Sequence, residues 1–491
     1  MEITCDQCGK KYRLGDHVLE VVFSCTNCQH IVHARKSGYV SSSNDSSIPA
    51  GQKPVSEWRK KRPRSLKIMI FLGALLCILM IVLGYNFFVK GAFNTKEPIL
   101  LGCPLSTSYL YGRTAERGIR LAVEEINEQG GVHIQGKKRP FEVIVMDTHD
   151  LEPGVPVSAA LDVTERLITE KGVDFIMGGP VRSEAALAAM DILSRHKKIS
   201  ILSTGALTPK YHHLVEEAYD QYKYCFRVSG EAQWMVKEIT SCLSYIKEHF
   251  NLNQIFLMLQ DVSHSRGGGN IIEKIALESG WSVLGKEIYP TGSMDFSTGL
   301  LKVKESGAQV LLIWMDMPES SFLIQQWYDM KIPALPFGSI ISVAETPDFL
   351  KTMEGKGEFC LANVVNAGNA PSKATPWTMK FYNAYMAKWG IEPEGYGASS
   401  SYMAAYVLKE AIERADSLEP DEVIKALEAT DLMGVYGRIR FDGKSHQVIP
   451  SLDPRNGAVG TIFQWQGNQR VVVFPPSITE ERIQLPPWME K

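Results

Sequence analysis

The stretch DFIMGGPVRSEAALAAMDILSRHKKISILSTG, residues 174–205, sets the architecture of this 491-residue chain. Residues 174–177 are a short apolar run, 183–195 read as an amphipathic helix, and 200–203 form a second apolar run. Strand, helix and strand at this spacing make a βαβ unit, which belongs to a parallel sheet covered on both faces.

The alternation extends in both directions. Upstream, 99–103 and 141–146 read as strands and 114–128 and 157–170 as helices, the first helix being stopped by Gly130-Gly131. Downstream, a second series opens with strands at 255–260, 282–288, 310–314 and 335–338. Helices at 271–279, 298–306 and 319–330 separate them. Helical stretches at 376–388, 400–414 and 421–429 follow, then β-like segments at 437–441, 445–449, 461–465 and 470–474. The fold class is therefore α/β, with two doubly wound parallel sheets in two lobes over residues 97–475. Such lobes leave a cleft between the carboxyl ends of their strands. Residues 476–491 form a Pro-rich tail.

Ahead of the lobes, residues 68–89 (IMIFLGALLCILMIVLGYNFFV) contain no charge. As a helix they span about 33 Å, against a hydrocarbon core of about 30 Å. Arg59, Lys60, Lys61, Arg62, Arg64 and Lys67 precede the run, and only Lys90 and Lys96 closely follow it. This bias predicts a single transmembrane signal-anchor helix at 67–90 in a cytoplasmic (inner) membrane, with the N-terminus cytoplasmic and the large domain extracytoplasmic. Leu100-Leu101-Gly102-Cys103 imitates a lipidation site, but a polar stretch separates it from the apolar run, so it reads as a buried strand.

In the N-terminal 36 residues, Cys5 and Cys8 form one C-x-x-C knuckle and Cys25 and Cys28 another. That spacing predicts a small ribbon holding one structural zinc through four thiolates. Residues 37–66 are a flexible linker that ends in the basic run. Cys103, Cys225, Cys242 and Cys360 lie beyond the anchor, where an oxidising space permits three pairings. A net charge of −3 speaks against a nucleic-acid surface. The chain has no G-x-S-x-G elbow, Walker A loop or H-E-x-x-H helix, which favours binding over catalysis. Gly267-Gly268-Gly269 reads as a flexible helix entry, and the adjacent His212 and His213 as a solvated pair.

An ordered set of motifs carries a family resemblance across residues 97–475. It comprises Pro104-Leu105-Ser106, Tyr111-Gly112, Glu125-Ile126-Asn127 with Gly130-Gly131, and residues 174–180 (DFIMGGP). Ser203-Thr204-Gly205-Ala206 with Pro209, Phe226-Arg227-Val228, Asp295-Phe296-Ser297 and Gly437 with Phe441-Asp442 continue it. The set resembles type I extracytoplasmic solute-binding proteins of the branched-chain amino acid-binding (Leu/Ile/Val-binding) family.

The resemblance implies a membrane-anchored receptor, not an enzyme, that closes on a small polar ligand such as an amino acid, an amide or a small carboxylate. Its expected partners are the small-molecule ligand, the lipid bilayer and an ABC permease. The alternatives are a sensor signalling through the zinc ribbon and a hydrolase on the same scaffold. By the same resemblance, Arg182 and Ser183 with Val181, and Gly205 and Ala206 with Leu207, hold the ligand carboxylate, with Tyr109 beside them. Leu207 stands where a Thr hydroxyl is usual. On the second lobe Ser265 or Arg266 and Asp316 occupy ligand positions, and Ser339-Ile340 stand where an ammonium-binding acid is usual. Without the family, Arg182 and Arg266 are solvated loop cations and Asp316 is a helix cap.

A peptide of residues 1–40 is expected to fold only with zinc. Apparent zinc free energies for such peptides are on the order of 10 kcal/mol, and Cys25→Ser removes one of four thiolates. Circular dichroism with and without chelator checks this; a folded, metal-free peptide would sink it.

Overall fold

The computed structural model describes residues 2–4, 11–13, 20–24, 31–35, 97–479 and 481–489. The chain divides into two units, Met1–Lys90 and Gly91–Lys491. In the first, Glu2–Thr4 pairs antiparallel with Lys11–Arg13, and Glu20–Ser24 with Ile31–Arg35. The four proposed zinc cysteines and the apolar run 68–89 lie outside the described residues. Among the described residues no helix is long and apolar enough to cross a membrane.

The second unit holds two lobes. In the first lobe, β1 (Ile99–Leu105), β2 (Phe141–Asp147), β3 (Phe175–Gly178), β4 (Ser200–Leu202) and β5 (Cys225–Arg227) make a parallel sheet ordered β5-β4-β3-β1-β2. Helices α1 (Leu110–Glu128), α2 (Val157–Thr169) and α3 (Ser183–Arg195) connect the first four strands. α1 buries Ala115, Ile119, Ala122 and Ile126 along one stripe, the spacing of an amphipathic helix.

The chain enters the second lobe through α4 (Ala232–Phe250). Its start is fixed by Glu231, whose carboxylate accepts the N–H groups of Gln233 and Trp234. The second sheet contains β6 (Gln254–Gln260), β7 (Ser282–Tyr289), β8 (Val310–Met315), β9 (Leu335–Ile341), β10 (Leu361–Val364), β11 (Thr461–Gln466) and β12 (Gln469–Phe474). Its order is β7-β6-β8-β9-β10-β11-β12, and only the β10–β11 and β11–β12 pairs are antiparallel. Helices α5 (Ser263–Glu278), α6 (Ser297–Ser306) and α7 (Ser320–Asp329) lie between its early strands. α8 (Pro376–Trp389), α9 (Ala398–Ala415) and α10 (Pro420–Glu428) then return to the first lobe, where α9 packs along α1.

Three readings change. The glycine triplet lies inside α5, not at a flexible entry. A Cβ on Gly268 would come within 2.0 Å of the Trp314 ring, and one on Gly269 within 2.4 Å of Leu259, so the glycines let the helix sit directly on the sheet. Residues 445–449 make only two isolated bridges, Gln447 with Arg227 and Val448 with Phe441, rather than a strand. Cys103, Cys225, Cys242 and Cys360 are all buried and unpaired, and burial pushes every thiol up, Cys103, Cys225 and Cys360 to about 12. The C-terminal segment is packed: Ile478 and Ile483 are buried, and the Trp488 indole donates to the Ile332 carbonyl.

The chain crosses between lobes three times, at 228–231, 365–375 and 449–460. Backbone bonds tie the crossings together: Ala367 N–H to Val459 O at 2.9 Å, and Val459 N–H to Tyr436 O at 2.8 Å. Beneath them lies Glu238 of α4, fully buried. It accepts from the Trp234 indole at 2.8 Å and from the Asn363 amide at 3.4 Å, and packs against Gly460. Burial without a cationic partner raises its carboxyl from 4.5 to about 8.

Between those values the folded chain holds a proton that the unfolded chain has lost, so this contribution to stability is complete below pH 4.5 and falls as pH rises to about 8. The slope for one such group is about 1.4 kcal/mol per pH unit. Glu238→Gln is expected to flatten the decline, as measured by denaturant unfolding between pH 5 and 8; an unchanged slope would contradict it.

Candidate functional site

Parallel strands send their carboxyl ends to one edge of each sheet, and the loops there build the cleft. From the first lobe come 106–109 after β1, 148–150 after β2, 179–182 after β3 and 203–208 after β4. From the second come 261–262 after β6, 316–318 after β8 and the turn Ser342–Glu345 after β9.

The β3 and β4 loops are locked by a buried acid. Asp150 is fully buried; its Oδ2 accepts the Val181 N–H at 2.9 Å and the Arg182 N–H at 2.7 Å, while Oδ1 accepts from the Thr148 hydroxyl at 2.7 Å. The Ala206 N–H donates to Val181 O at 2.6 Å, with Gly205 and Ala206 both at positive φ. A side chain at Gly205 would come within 2.2 Å of Val181 O, so only glycine lets the two loops meet. Arg227, fully buried at the end of β5, secures the far side. Its guanidinium donates to the carbonyls of Ala206 at 2.7 Å and Thr208 at 3.0 Å, and it also engages Gln447 and His212. Desolvation and the Arg227 charge lower His212 to about 4, so it is a neutral partner, not a solvated surface group.

Two tyrosines line the first-lobe side. Tyr111 of α1 packs on Tyr396, which precedes α9, with ring centroids 4.1 Å apart and the planes tilted by 33°. Tyr396 is buried in the same cluster as Trp314 and Ile340 of the second lobe, with Tyr111 and Leu207 packed against it. Burial raises both phenols, and the nearby Glu345 and Asp316 carboxylates raise them further. The Tyr396 ring thus meets Trp314 and Ile340 of the second lobe across the cleft.

The acids belong to the second lobe. Glu345 is 4% exposed, and its Oε2 has no hydrogen-bond partner. Burial lifts its carboxyl to about 8, Arg470 opposes the shift, and Asp316 adds to it. Asp316 pairs with His264 at 3.2 Å, and its N–H donates to Gln260 Oε1 at 3.0 Å. Gln260 also accepts the Met317 N–H and donates to Thr291, which holds the β8 loop in place. Ser265 is buried; its hydroxyl donates to Trp314 O at 2.7 Å and so fastens α5 to β8.

The structure brings Arg182, Ser183, Gly205 and Ala206 together at the β3 and β4 loops, and sets Asp316 opposite, near Tyr111 and Tyr396. Arg182 is half-buried, and its guanidinium donates to Val155 O at 3.1 Å within the first lobe. Ser183 opens α3. Tyr109 is 40% exposed at the start of α1. Arg266 lies on the surface in a pair with Asp261, Nε to Oδ1 at 2.6 Å. Positions 339–340 fall inside β9, which runs on to Ile341. Sequence reasoning missed Asp150, Tyr111, Tyr396 and Glu345 as site residues. For Glu345 the missed signal was the apolar pair Ile340-Ile341, which extends the strand and moves its loop toward the acid.

Comparison with known proteins agrees with the two-lobed fold. A family model described as periplasmic binding protein matches residues 102–457. The Leu/Ile/Val-binding protein homolog 8 of Brucella abortus (strain 2308) is 27% identical over 388 residues, covering 76% of this chain and 89% of its own length. The branched-chain amino acid transporter substrate binding protein LivJ of Streptococcus pneumoniae, solved with isoleucine, matches at a TM-score of 0.61 and 20% identity. That alignment covers 77% of this chain and 100% of LivJ. An R. palustris ABC transporter solute binding protein solved with benzoate matches at a TM-score of 0.58 and 14% identity, over 77% of this chain and 95% of its own.

Asp150→Ala leaves the buried Val181 N–H and its neighbour at Arg182 without their acceptor. Each unpaired buried donor costs about 1–3 kcal/mol, so the variant is expected to unfold at distinctly lower denaturant. A midpoint equal to that of the parent would remove Asp150 as the lock on these loops.

Proposed function

The chain belongs to the periplasmic binding protein family, a family of binding proteins and not of enzymes, and on that premise we propose that it is a membrane-tethered receptor that closes its two lobes on a small polar solute. One observation carries the reading: Tyr396 of the first lobe, with Tyr111 against it, is buried with Trp314 and Ile340 of the second at the carboxyl ends of both sheets. A ligand touching both halves is fully held only when the lobes meet, so binding shifts an open–closed equilibrium. The ordered loops suit this role, since groups already held in place lose little entropy on binding.

In this proposal the apolar run 68–89 tethers the receptor with its large domain outside the cytoplasm, and a zinc ribbon caps the cytoplasmic end. Tethering raises the receptor's effective concentration near a membrane partner without adding contacts. An ABC-type permease is the proposed partner, because relatives carry that role in their names.

Calorimetric titration of the protein with amino acids, amides and small carboxylates tests the reading. At least one compound is expected to bind, with micromolar affinity corresponding to about −8 kcal/mol. Small-angle scattering should then show a smaller radius of gyration at saturation. No binding and no compaction across the whole panel would overturn the receptor assignment.

A further inference from the structure

We propose that opening of the hinge is coupled to release of one proton: neutral Glu238 holds together the second-lobe ends of all three crossings, and its ionised form belongs to the hydrated, opened hinge. The inference rests on the lobes moving as the receptor reading requires, and names a condition that sets how freely they move.

The contacts of this one carboxyl reach every passage. Trp234, just past the 228–231 crossing, donates its indole N–H to Oε1 at 2.8 Å. Asn363, just before the 365–375 crossing, donates its amide to Oε2 at 3.4 Å. Gly460 ends the 449–460 crossing and lies directly on the group: a Cβ there would come within 2.1 Å of Oε1 and 2.4 Å of Oε2. Only a glycine lets the third passage close over the acid, and Glu238 is left 2% exposed. A shift of any crossing away from the second lobe therefore disturbs a contact of Glu238 and lets water reach it.

The surroundings suit the neutral acid. The charged and titratable groups on the elements around it are engaged elsewhere. Glu231 caps α4, and the Lys237 ammonium lies over the Trp234 ring. Cys242, one turn along α4, is a buried neutral thiol. Asp453 and Arg455 pair with each other, Arg470 binds Glu392, and Lys373 stands at the first-lobe end of its crossing. None of them acts on the Glu238 carboxyl, whose neighbours are Trp234, Asn363 and Gly460. An acceptor for the acid proton is also at hand. Asn363 Oδ1 is buried without a partner, and a half-turn of that amide exchanges Oδ1 with Nδ2 and turns it toward the carboxyl. A neutral Glu238 can thus donate to Asn363 while it accepts from Trp234. The ionised form has no such use for Oδ1 and places a charge without a counter-ion out of water, which is costly.

The sign of the linkage follows. Burial raises the carboxyl from 4.5 to about 8 in the packed hinge, and water entry returns it toward its ordinary value. The packed state therefore binds the extra proton. Its advantage is complete at low pH, opening is favoured by as much as about tenfold per pH unit as pH rises toward 8, and the effect levels off above that value.

Hydrogen exchange of the full-length protein without ligand, read by mass spectrometry and corrected for the intrinsic exchange rate at each pH, tests the switch. Peptides covering 228–236, 361–375 and 449–461 are expected to exchange at least about tenfold faster at about pH 8 than at about pH 6, then level off, while peptides from the centre of each sheet do not follow them. Glu238→Gln, neutral at every pH, is expected to abolish the rise. Glu345→Gln removes the other acid raised to about 8 and is expected to leave it in place. Crossing peptides of the parent protein that show no rise overturn the switch, whether or not the variants fold. So does a rise shared equally by every peptide, one that survives Glu238→Gln, or one lost in Glu345→Gln. Each of these outcomes leaves the receptor reading standing, because none involves a ligand; that reading is decided by the titration at fixed pH described above.

Discussion

The structure depends on the hydrogen bonding of its three crossings. Two sheets whose active edges face each other need chain passing between them, and each passage brings backbone polar groups that must be paired. Here one bond joins two crossings directly, and Tyr436 and Gln447 beside them pair with the others. Ala367 donates to Val459, Val459 donates to Tyr436, and the Gln447 amide donates to Ser229 O at 2.9 Å. Tyr436 adds its hydroxyl to Val228 O at 2.8 Å. Backbone and side-chain hydrogen bonds thus order all three passages between the lobes. Glu238 sits beneath them, fully buried, against Gly460.

The two faces of the cleft solve different physical problems. The first-lobe loops are tight turns whose N–H groups would otherwise be orphaned, and the chain satisfies them from within, through Asp150 and Val181. Arg227 is the counterpart of Asp150: a buried charge that takes up loop carbonyls instead of loop N–H groups. These loops are therefore set in place before any ligand arrives. Each face keeps one charged group partly unpaired: Arg182 Nε on the first lobe and Glu345 Oε2 on the second are both buried without a partner.

The lobes were legible in the sequence because their strands are short apolar runs and their helices one-sided, and both periods survive in residues 99–203 and 255–330. α4 was not anticipated. Its apolar positions include Trp234, Met235, Cys242 and Leu243, and its start depends on a Glu cap that has no distinctive local signature. The glycine triplet misled because glycine usually marks flexibility, whereas here the missing Cβ atoms make room for Trp314 and Leu259. The site was less legible than the fold. Tyr111 and Tyr396 are 285 positions apart and meet only through the packing of α9 on α1. Asp150 follows an ordinary strand end, and nothing local shows that its partners lie 31 and 32 residues away.

Tyr396 links recognition to motion. It is carried by a segment of the first lobe, since Ser400 a few residues on donates its hydroxyl to Ser203 O at 2.6 Å. Yet its ring is buried among second-lobe side chains. Opening the cleft must uncover that ring and the Tyr111 face packed on it, at about 25 cal/mol per Å² of apolar surface. Closing restores the burial but keeps Glu345 out of water, which raises its carboxyl to about 8 and so disfavours its charged form. The closed state is thus favoured by apolar contact and opposed by electrostatics. A ligand group that gives the Glu345 carboxyl a hydrogen-bond partner relieves only the second term, and that asymmetry gives a ligand its leverage over the equilibrium.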